Sequence, residues 1–381
     1  MSIARLSSVA IVLSMLASAC GGEAVRFEVP ASPSPTAATT PATTAAPTTT
    51  PAPTPLGTPD PAAACTACWP LTGKPLGAAS ASKRPLVVKI DNVPDARPHY
   101  GLSQADMVIE ELVEGFVTRL VAIYQSQDPP TIGGVRSARL ADRSFTAMVR
   151  GALVYSGTSD FAWSLISKDA ASGRYIELSA DHSGGYYRVN FRPAPYNMFT
   201  SAAAQRDTLT KLGAATVADV PMLSFLANAD HAPAIGGMSG ATPATQITIP
   251  YREDTSAVSY EYDPKTRTYA RWQNSAAKAV RDVDAANNAP IAAADVVIIQ
   301  TEIWEVAEIV DAAGAHAHDM RLTGTGKATV FRDGLRQEAT WSRKDDNAPF
   351  VFTNAQGEQI KLSAGQPWFH VIPTDWTVTS K

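Results

Sequence analysis

Residues 107–124, MVIEELVEGFVTRLVAIY, contain two β-prone apolar runs on either side of a Glu-Gly pair. Met107–Val113 forms the first run and Phe116–Tyr124 the second, with Glu114-Gly115 between them. An acidic residue followed by glycine between two such runs is typical of a β-hairpin. Upstream, the apolar run Pro85–Ile90 predicts another buried strand, so the region begins as a sheet.

The rest of the chain adds one helical pattern and many short strands. Apolar residues at helical spacing over Val135–Val149 predict a helix with Ser137 as its cap. In the last third, short β-prone runs are separated by turn signals such as Asp263-Pro264 and Asp333-Gly334. These patterns predict an α+β fold, with a mixed α/β N-terminal domain followed by a smaller, mostly antiparallel β-rich domain. The predicted segments are the N-terminal domain at 69–226, a linker at 227–245 and the β-rich domain at 246–381.

The N-terminus has the order of an exported lipoprotein. A short apolar segment ends in small residues at Cys20, and it is shorter than the ~20 apolar residues that span a bilayer. We predict a lipoprotein signal peptide at 1–20, lipidation of Cys20 and a Pro/Thr/Ala-rich disordered tether at 21–68. A cleaved secretory signal is the alternative, and both interpretations place the protein outside the cytoplasm. The lipidated form would be anchored to the outer face of the cytoplasmic membrane.

Composition and cysteine usage narrow the function class. The 381-residue chain has a formal net charge of −4, which argues against a nucleic-acid partner. After Cys20 the remaining cysteines are Cys65 and Cys68, in a Cys-x-x-Cys arrangement. An oxidising compartment favours a local disulfide between them, while a metal site and a redox site stay open as alternatives. We expect no metal and no cofactor.

Charged residues are unusually dense between residues 91 and 139, on segments that otherwise look buried. Glu110 and Glu114 are four residues apart, a spacing that shares one face on a strand or on a helix. Arg136 and Arg139 would project from one side of the predicted helix. Three interpretations are open: a buried salt-bridge network, a recognition groove for carboxylates, and a catalytic acid site for glycan cleavage. The candidate catalytic residues are Glu114, Glu110 and Asp91, and the candidate binding residues here are Asn92, Arg97, Arg119, Arg136 and Arg139.

Several stretches make the chain resemble the YerB-like lipoprotein family, which is defined by the DUF3048 domain and its C-terminal partner domain. The most specific stretch is Arg136-Ser-Ala-Arg139, supported by Lys89-Ile-Asp-Asn92 and Gly101–Asp106, and in the C-terminal half by residues such as Trp341. Tyr196 stands where the family pattern has histidine. The resemblance implies an extracytoplasmic lipoprotein with two linked modules, and it supplies no established reaction. It adds Arg192 and Asn197 to the candidate binding residues.

The combined expectation is a lipid-anchored envelope protein whose N-terminal module binds peptidoglycan. Cleavage of the glycan strands by a carboxylic-acid mechanism is the enzymatic form of this hypothesis, and the sequence leaves open whether the protein is an enzyme. The alternative is a non-enzymatic envelope-assembly or protein-interaction lipoprotein whose β-rich module docks another envelope protein. The expected partners are therefore the membrane through the lipid, peptidoglycan and envelope proteins, with no nucleic acid.

Overall fold

The computed structural model describes residues 63–227, 232–275, 278–311 and 313–381. The predicted signal peptide, the lipidation site at Cys20 and the predicted tether up to residue 62 lie outside these residues. Cys65 and Cys68 are joined by a disulfide, and this segment is already part of the fold, because the amide of Cys65 donates to the carbonyl of Phe225 at 2.9 Å. In the part of the chain that is described, no helix is long and apolar enough to cross a membrane.

Strands outnumber helices in the described ranges. The helices are α1 (Asp142–Met148), α2 (Asp160–Ala171) and α3 (Ala202–Lys211), with 3-10 turns at Pro94–Ala96, Leu102–Gln104 and Glu114–Phe116. The strands of the first half are β1 (Leu86–Asp91), β2 (Met107–Leu112), β3 (Thr118–Tyr124), β4 (Ile132–Gly133), β5 (Ala152–Tyr155), β6 (Ile176–Ser179), β7 (Tyr186–Arg188) and β8 (Met198–Thr200). Those of the second half are β9 (Thr242–Pro243), β10 (Gln246–Ile249), β11 (Val258–Asp263), β12 (Thr268–Ser275), β13 (Lys278–Arg281), β14 (Ala292–Ala293), β15 (Asp295–Thr301), β16 (Ile303–Val310), β17 (His316–Met320), β18 (Gly324–Arg332), β19 (Leu335–Arg343), β20 (Val351–Thr353), β21 (Pro367–Pro373) and β22 (Thr379–Ser380).

One large mixed sheet runs through both halves of the chain. Its strand order is β20-β19-β18-β15-β21-β2-β3-β1-β5-β6, with β9 paired to β19. The two halves meet where β2 pairs in parallel with β21, in a register that places Ile109 opposite Phe369. The α+β class is confirmed. The predicted division into two domains at 227–245 stays a prediction. The described residues belong to one compact unit, and the large sheet contains strands from both sides of this division.

The large sheet is buried on both sides. On its helix face, Ile109 and Val121 pack in one core with Phe145 of α1 and Ile166 of α2. On its other face, which we call the sheet face, Val108 and Ala122 pack with apolar residues of a smaller sheet that has the order β13-β12-β11-β10-β22. Neighbouring residues on β2 therefore enter different cores, because side chains alternate along a strand. This alternation sorts the charged residues of β1, β2 and β3 into two separate groups.

The predicted hairpin is confirmed, and the predicted helix begins later than expected. The β2 and β3 strands pair antiparallel around Glu114–Phe116. Helix α1 begins only at Asp142, so the expectation of helix from Val135, capped by Ser137, is wrong. Backbone groups of the intervening segment bond elsewhere: the amide of Arg136 donates to the carbonyl of Lys89, and the amide of Val135 to that of Met198. These long-range bonds hold residues 135–141 in an irregular path, and Arg136 and Arg139 do not share a helix face.

Candidate functional site

A group of three arginines and two carboxylates lies at the carboxyl end of β1. It consists of Arg119, Arg136, Arg139, Asp91 and Glu114, and we call it the arginine cluster. Asp91 is the last residue of β1 and lies directly opposite Arg119 of β3 in the antiparallel register. Glu114 is in the hairpin turn, and the two other arginines come from the irregular segment before α1. Three separate pieces of chain therefore place these side chains together.

Each carboxylate of the arginine cluster is held by one arginine. Arg136 Nε lies 2.8 Å from Asp91 Oδ2, and Arg139 Nη2 donates to Glu114 Oε2. Arg119 forms no ion pair with a carboxylate of the cluster. Its Nη1 donates to the carbonyl of Ser137 at 2.8 Å, and its Nε has no hydrogen-bond partner among the described residues. The residue is only 7% exposed. Three guanidinium groups facing two carboxylates leave one positive charge in excess within the cluster.

The electrostatics of the arginine cluster follow from burial and crowding. Burial, followed by the positive charge of Arg139, lowers the pKa of Arg119 to about 9, so its guanidinium stays charged at neutral pH. Burial by itself would raise the pKa of Glu114, but Arg139 and then Arg119 outweigh this effect and hold the pKa below its usual value. Glu114 is therefore an ionised acceptor. With 27% of the Arg136 side chain exposed, the cluster can be reached from solvent.

A buried lysine lies next to the arginine cluster on the helix face. Lys89 Nζ contacts Glu111 of β2 and lies 2.9 Å from Asp142 Oδ1 at the start of α1, and all three side chains are fully enclosed. Burial raises the pKa of Glu111, while the Lys89 ammonium opposes this shift. Asp142 also accepts a hydrogen bond from the backbone amide of Arg139 at 2.6 Å. We call these three residues the lysine triad. The sequence analysis did not predict these contacts of Lys89, although a lysine inside an apolar strand indicates a buried partner of opposite charge.

Glu110 lies on the sheet face, away from Glu114, so the expectation that the two carboxylates share a face is wrong. Its Oε1 accepts hydrogen bonds from Asn92 Nδ2 at 3.0 Å and from Thr118 Oγ1 at 2.7 Å. Its Oε2 accepts from Arg271 Nη2 of β12 at 2.9 Å. The Glu110 side chain is completely enclosed. Glu110 therefore links the two sheets, Asn92 is fully buried beside it, and neither side chain has access to a ligand.

The other predicted binding residues brace loops beside the arginine cluster. Arg97 donates to the carbonyl of Asn92, and Arg192 donates to the carbonyls of Ala96 and Pro98. Asn197 bonds Arg188 through its side-chain oxygen, at 2.7 Å. The structure thus brings Arg119, Arg136 and Arg139 together and places Arg97, Arg192 and Asn197 outside them. No group of three or more His, Cys, Asp or Glu residues that could hold a metal occurs in the described ranges.

The arrangement of the arginine cluster suits an anion. Guanidinium groups donate paired N–H bonds that match the two oxygens of a carboxylate. An enclosed guanidinium with an unused donor gains a hydrogen bond when such an oxygen reaches it. The site therefore combines a permanent positive charge, an unused donor and an open side at Arg136.

Comparisons with known proteins agree with the sequence resemblance. The protein-family model described as "Protein of unknown function (DUF3048) N-terminal domain" matches residues 71–215, and the model of the corresponding C-terminal domain matches residues 247–369. The candidate lipoprotein YerB of Bacillus subtilis (strain 168) is 29% identical over 310 residues, which is 80% of this chain and 86% of that protein. The crystal structure of the YerB protein from Bacillus subtilis aligns with a TM-score of 0.67 at 27% identity, covering 82% of this chain and 99% of that one. This relationship supports an extracytoplasmic lipoprotein of unknown function. The chain belongs to the YerB-like DUF3048 family and carries both its N-terminal and its C-terminal domain.

Proposed function

We propose that this protein is anchored by a lipid on Cys20 to the outer face of the cytoplasmic membrane, and that its arginine cluster binds the carboxylates of peptidoglycan peptides. The observation that carries the binding part is Arg119, an enclosed guanidinium beside two further arginines, whose Nε has no hydrogen-bond partner within the described ranges. Muramyl peptides present free carboxylates, the group that arginine forks fit best. A protein held at the membrane surface by a long tether would meet this polymer directly.

The site is better suited to binding peptidoglycan than to cleaving its glycan strands with the three predicted catalytic carboxylates. A general acid for glycan cleavage must stay protonated near neutral pH and must reach the glycosidic oxygen. Glu110 is sealed between the two sheets. Glu114 is kept ionised by Arg139, and Asp91 is paired with Arg136. Glu110 lacks access to a ligand, and Asp91 and Glu114 each hold an arginine of the cluster, so the proposal gives all three carboxylates a structural role.

Arg119→Gln is expected to weaken binding of soluble muropeptides about 10- to 100-fold, because one charge-assisted hydrogen bond contributes roughly 1.5–3 kcal/mol. Isothermal titration calorimetry with muropeptides released from purified peptidoglycan measures the effect. Arg136→Gln, at the more exposed edge, should act in the same direction and covers the case in which the Arg119 variant folds poorly. Arg188→Gln, an exposed arginine outside the cluster, is the matched control.

A second probe tests whether carboxylates are what the site recognises. The same muropeptides with their carboxylates converted to amides should not bind measurably to the unaltered protein. Equal affinity for the free and amidated muropeptides, or an unchanged affinity in both cluster variants, would remove the binding proposal.

Cys20→Ala is expected to move the protein from the membrane fraction to the soluble fraction, because one cysteine carries the whole proposed anchor. Fractionation followed by immunoblotting measures the distribution. Cys68→Ala is the control, since it removes a cysteine from the disulfide without touching the anchor. Retention of the Cys20→Ala protein in the membrane would contradict anchoring through this residue.

A docking role for envelope proteins is the second candidate, and an exposed aromatic patch favours it. Phe191 is 58% exposed and packs against the buried Phe199 with ring centroids 5.7 Å apart. Tyr187 also contacts Phe199, with ring centroids 6.1 Å apart, and is exposed. Large exposed aromatic side chains are enriched in protein interfaces. Failure of muropeptide binding together with loss of a partner complex in a Phe191→Ala variant would shift the assignment to this role.

A further inference from the structure

A concave site is lined in part by Leu140, Ala141, Arg143 and Ser144, which follow Arg139 of the arginine cluster in the chain. It is a cleft of about 280 Å³ between α1, the β16–β17 hairpin and the loop that follows β19. We call it the Trp304 cleft. The side chains that matter for the argument are Arg143, Ser144, Arg174, Trp304, Asp319 and Asp346. None of them belongs to the arginine cluster or to the lysine triad.

An exposed tryptophan and a carboxylate stand side by side at this cleft. Trp304 of β16 is directly opposite Asp319 of β17 in the antiparallel register. Directly opposed residues project from the same face of a hairpin, so the indole and the carboxylate are neighbours. Trp304 is 46% exposed, although a tryptophan that only fills a core would be covered. A flat apolar ring beside a hydrogen-bonding group is thereby presented to solvent.

The polar groups on the opposite wall are held in fixed positions. Asp346 accepts hydrogen bonds from Ser144 Oγ at 2.6 Å and from Arg174 Nη2 at 2.5 Å. Arg143 lines the cleft and donates from Nε to Asp169 at 2.7 Å, and its two terminal nitrogens have no protein acceptor among the described residues. These contacts reduce the entropy lost when the groups bind a ligand.

Asp319 differs from Asp346 because it lacks a cation of its own. It accepts a hydrogen bond from the neighbouring backbone amide of Met320 at 2.9 Å, and it forms no ion pair within the described residues. Burial raises its pKa, and the charge of Asp346 adds to this effect, while Arg143 opposes it. For Asp346 the bonds from Ser144 and Arg174 outweigh burial and lower the pKa. Asp319 is thus a hydrogen-bonding group with unused capacity at the cleft.

We propose that the Trp304 cleft binds a saccharide ring, with Trp304 against its C–H face and Asp319, Asp346 and Arg143 bonding its hydroxyl groups. A sugar ring has apolar C–H faces and a rim of hydroxyls, and the cleft offers an aromatic face together with fixed donors and acceptors. The segment from Arg139 to Ser144 leads from the arginine cluster to the cleft. The inference deepens the proposed function, because it assigns the glycan strand of the same polymer to a site adjacent to its peptide carboxylates.

Titration of the full chain in detergent with tetra-N-acetylchitotetraose tests the inference by calorimetry. Trp304→Ala should weaken binding about tenfold, a loss of ~1.4 kcal/mol, because it removes the aromatic face on which the sugar ring packs. Asp319→Asn should weaken binding in the same direction. Trp163→Ala is the matched control, because Trp163 is 42% exposed on α2 and does not line the cleft. Maltotetraose in a parallel titration distinguishes an N-acetylated glycan from an unsubstituted glucan as the source of the sugar ring.

The outcomes separate this inference from the proposed function. Chitotetraose carries no carboxylate, so Arg136→Gln should leave its affinity unchanged. Absence of binding by both tetrasaccharides at millimolar concentration, or equal losses in the Trp304 and Trp163 variants, would overturn the saccharide site. Muropeptide binding that depends on Arg136 would still stand in that case. The converse result is also distinguishable. If saccharide binding depends on Trp304 but free and amidated muropeptides bind equally well, the cleft stands and the arginine cluster is removed from the proposal.

Discussion

Arg271→Met is expected to lower the free energy of unfolding by about 3–5 kcal/mol, which is the usual cost of removing one partner from a buried ion pair. The Arg271 guanidinium is fully enclosed and bonds Glu110 of the large sheet, together with Gln273 and Asp282 of the small sheet region. It also lies 4.6 Å from the ring centre of Trp368. Without it, Glu110 and Asp282 would be buried carboxylates that have lost their paired guanidinium, at the point where the two sheets meet.

Chemical denaturation monitored by circular dichroism measures this loss. Arg252→Met is the control, because Arg252 makes an exposed pair with Asp254 and should cost no more than about 1 kcal/mol. Adding Glu110→Gln to Arg271→Met should restore part of the stability, since it removes one of the stranded charges. An Arg271→Met protein as stable as the Arg252 control would show that the contact between the sheets does not depend on this network.

Lys89→Met is expected to produce a loss of similar size, about 3–5 kcal/mol, on the helix face of the same sheet. The lysine triad joins β1, β2 and the start of α1 through contacts that exclude water. Removing the ammonium would leave Glu111 and Asp142 facing each other in the core. Because Asp142 holds the backbone amide of Arg139, the variant should also bind muropeptides more weakly.

The loss caused by Lys89→Met should grow as the pH rises. Burial already raises the pKa of Glu111 in the folded protein, and removal of Lys89 takes away the charge that opposes this rise. A carboxyl whose folded pKa lies above its unfolded pKa favours folding at low pH, and this contribution is lost as the pH rises through the folded value. The deficit should therefore be larger at pH 8 than at pH 5. Lys83→Met is the control, since Lys83 pairs with Asp128 near the surface, and a pH-independent deficit would contradict the role of the triad.

Local patterns in the sequence were sufficient for the hairpin, the α+β class and the family. The apolar runs around Glu114-Gly115 identified the hairpin, and the dense charges between 91 and 139 pointed to the region that contains the arginine cluster. The family resemblance rested on short stretches such as Arg136–Arg139 and was confirmed by both domain matches. These features depend on residues close together in the chain, so periodicity and turn chemistry can reveal them.

Only the tertiary structure decided which charged residues meet. Because β2 is buried on both faces, its apolar pattern does not say that Glu110 points to Arg271 while Glu111 points to Lys89. The pairing of β2 with β21 joins segments more than 250 residues apart, and the late start of α1 follows from backbone bonds to distant strands. The opposition of Trp304 and Asp319 likewise depends on hairpin register. Register and long-range pairing are set by the packing of the whole sheet, and a shift of one residue would exchange its two faces.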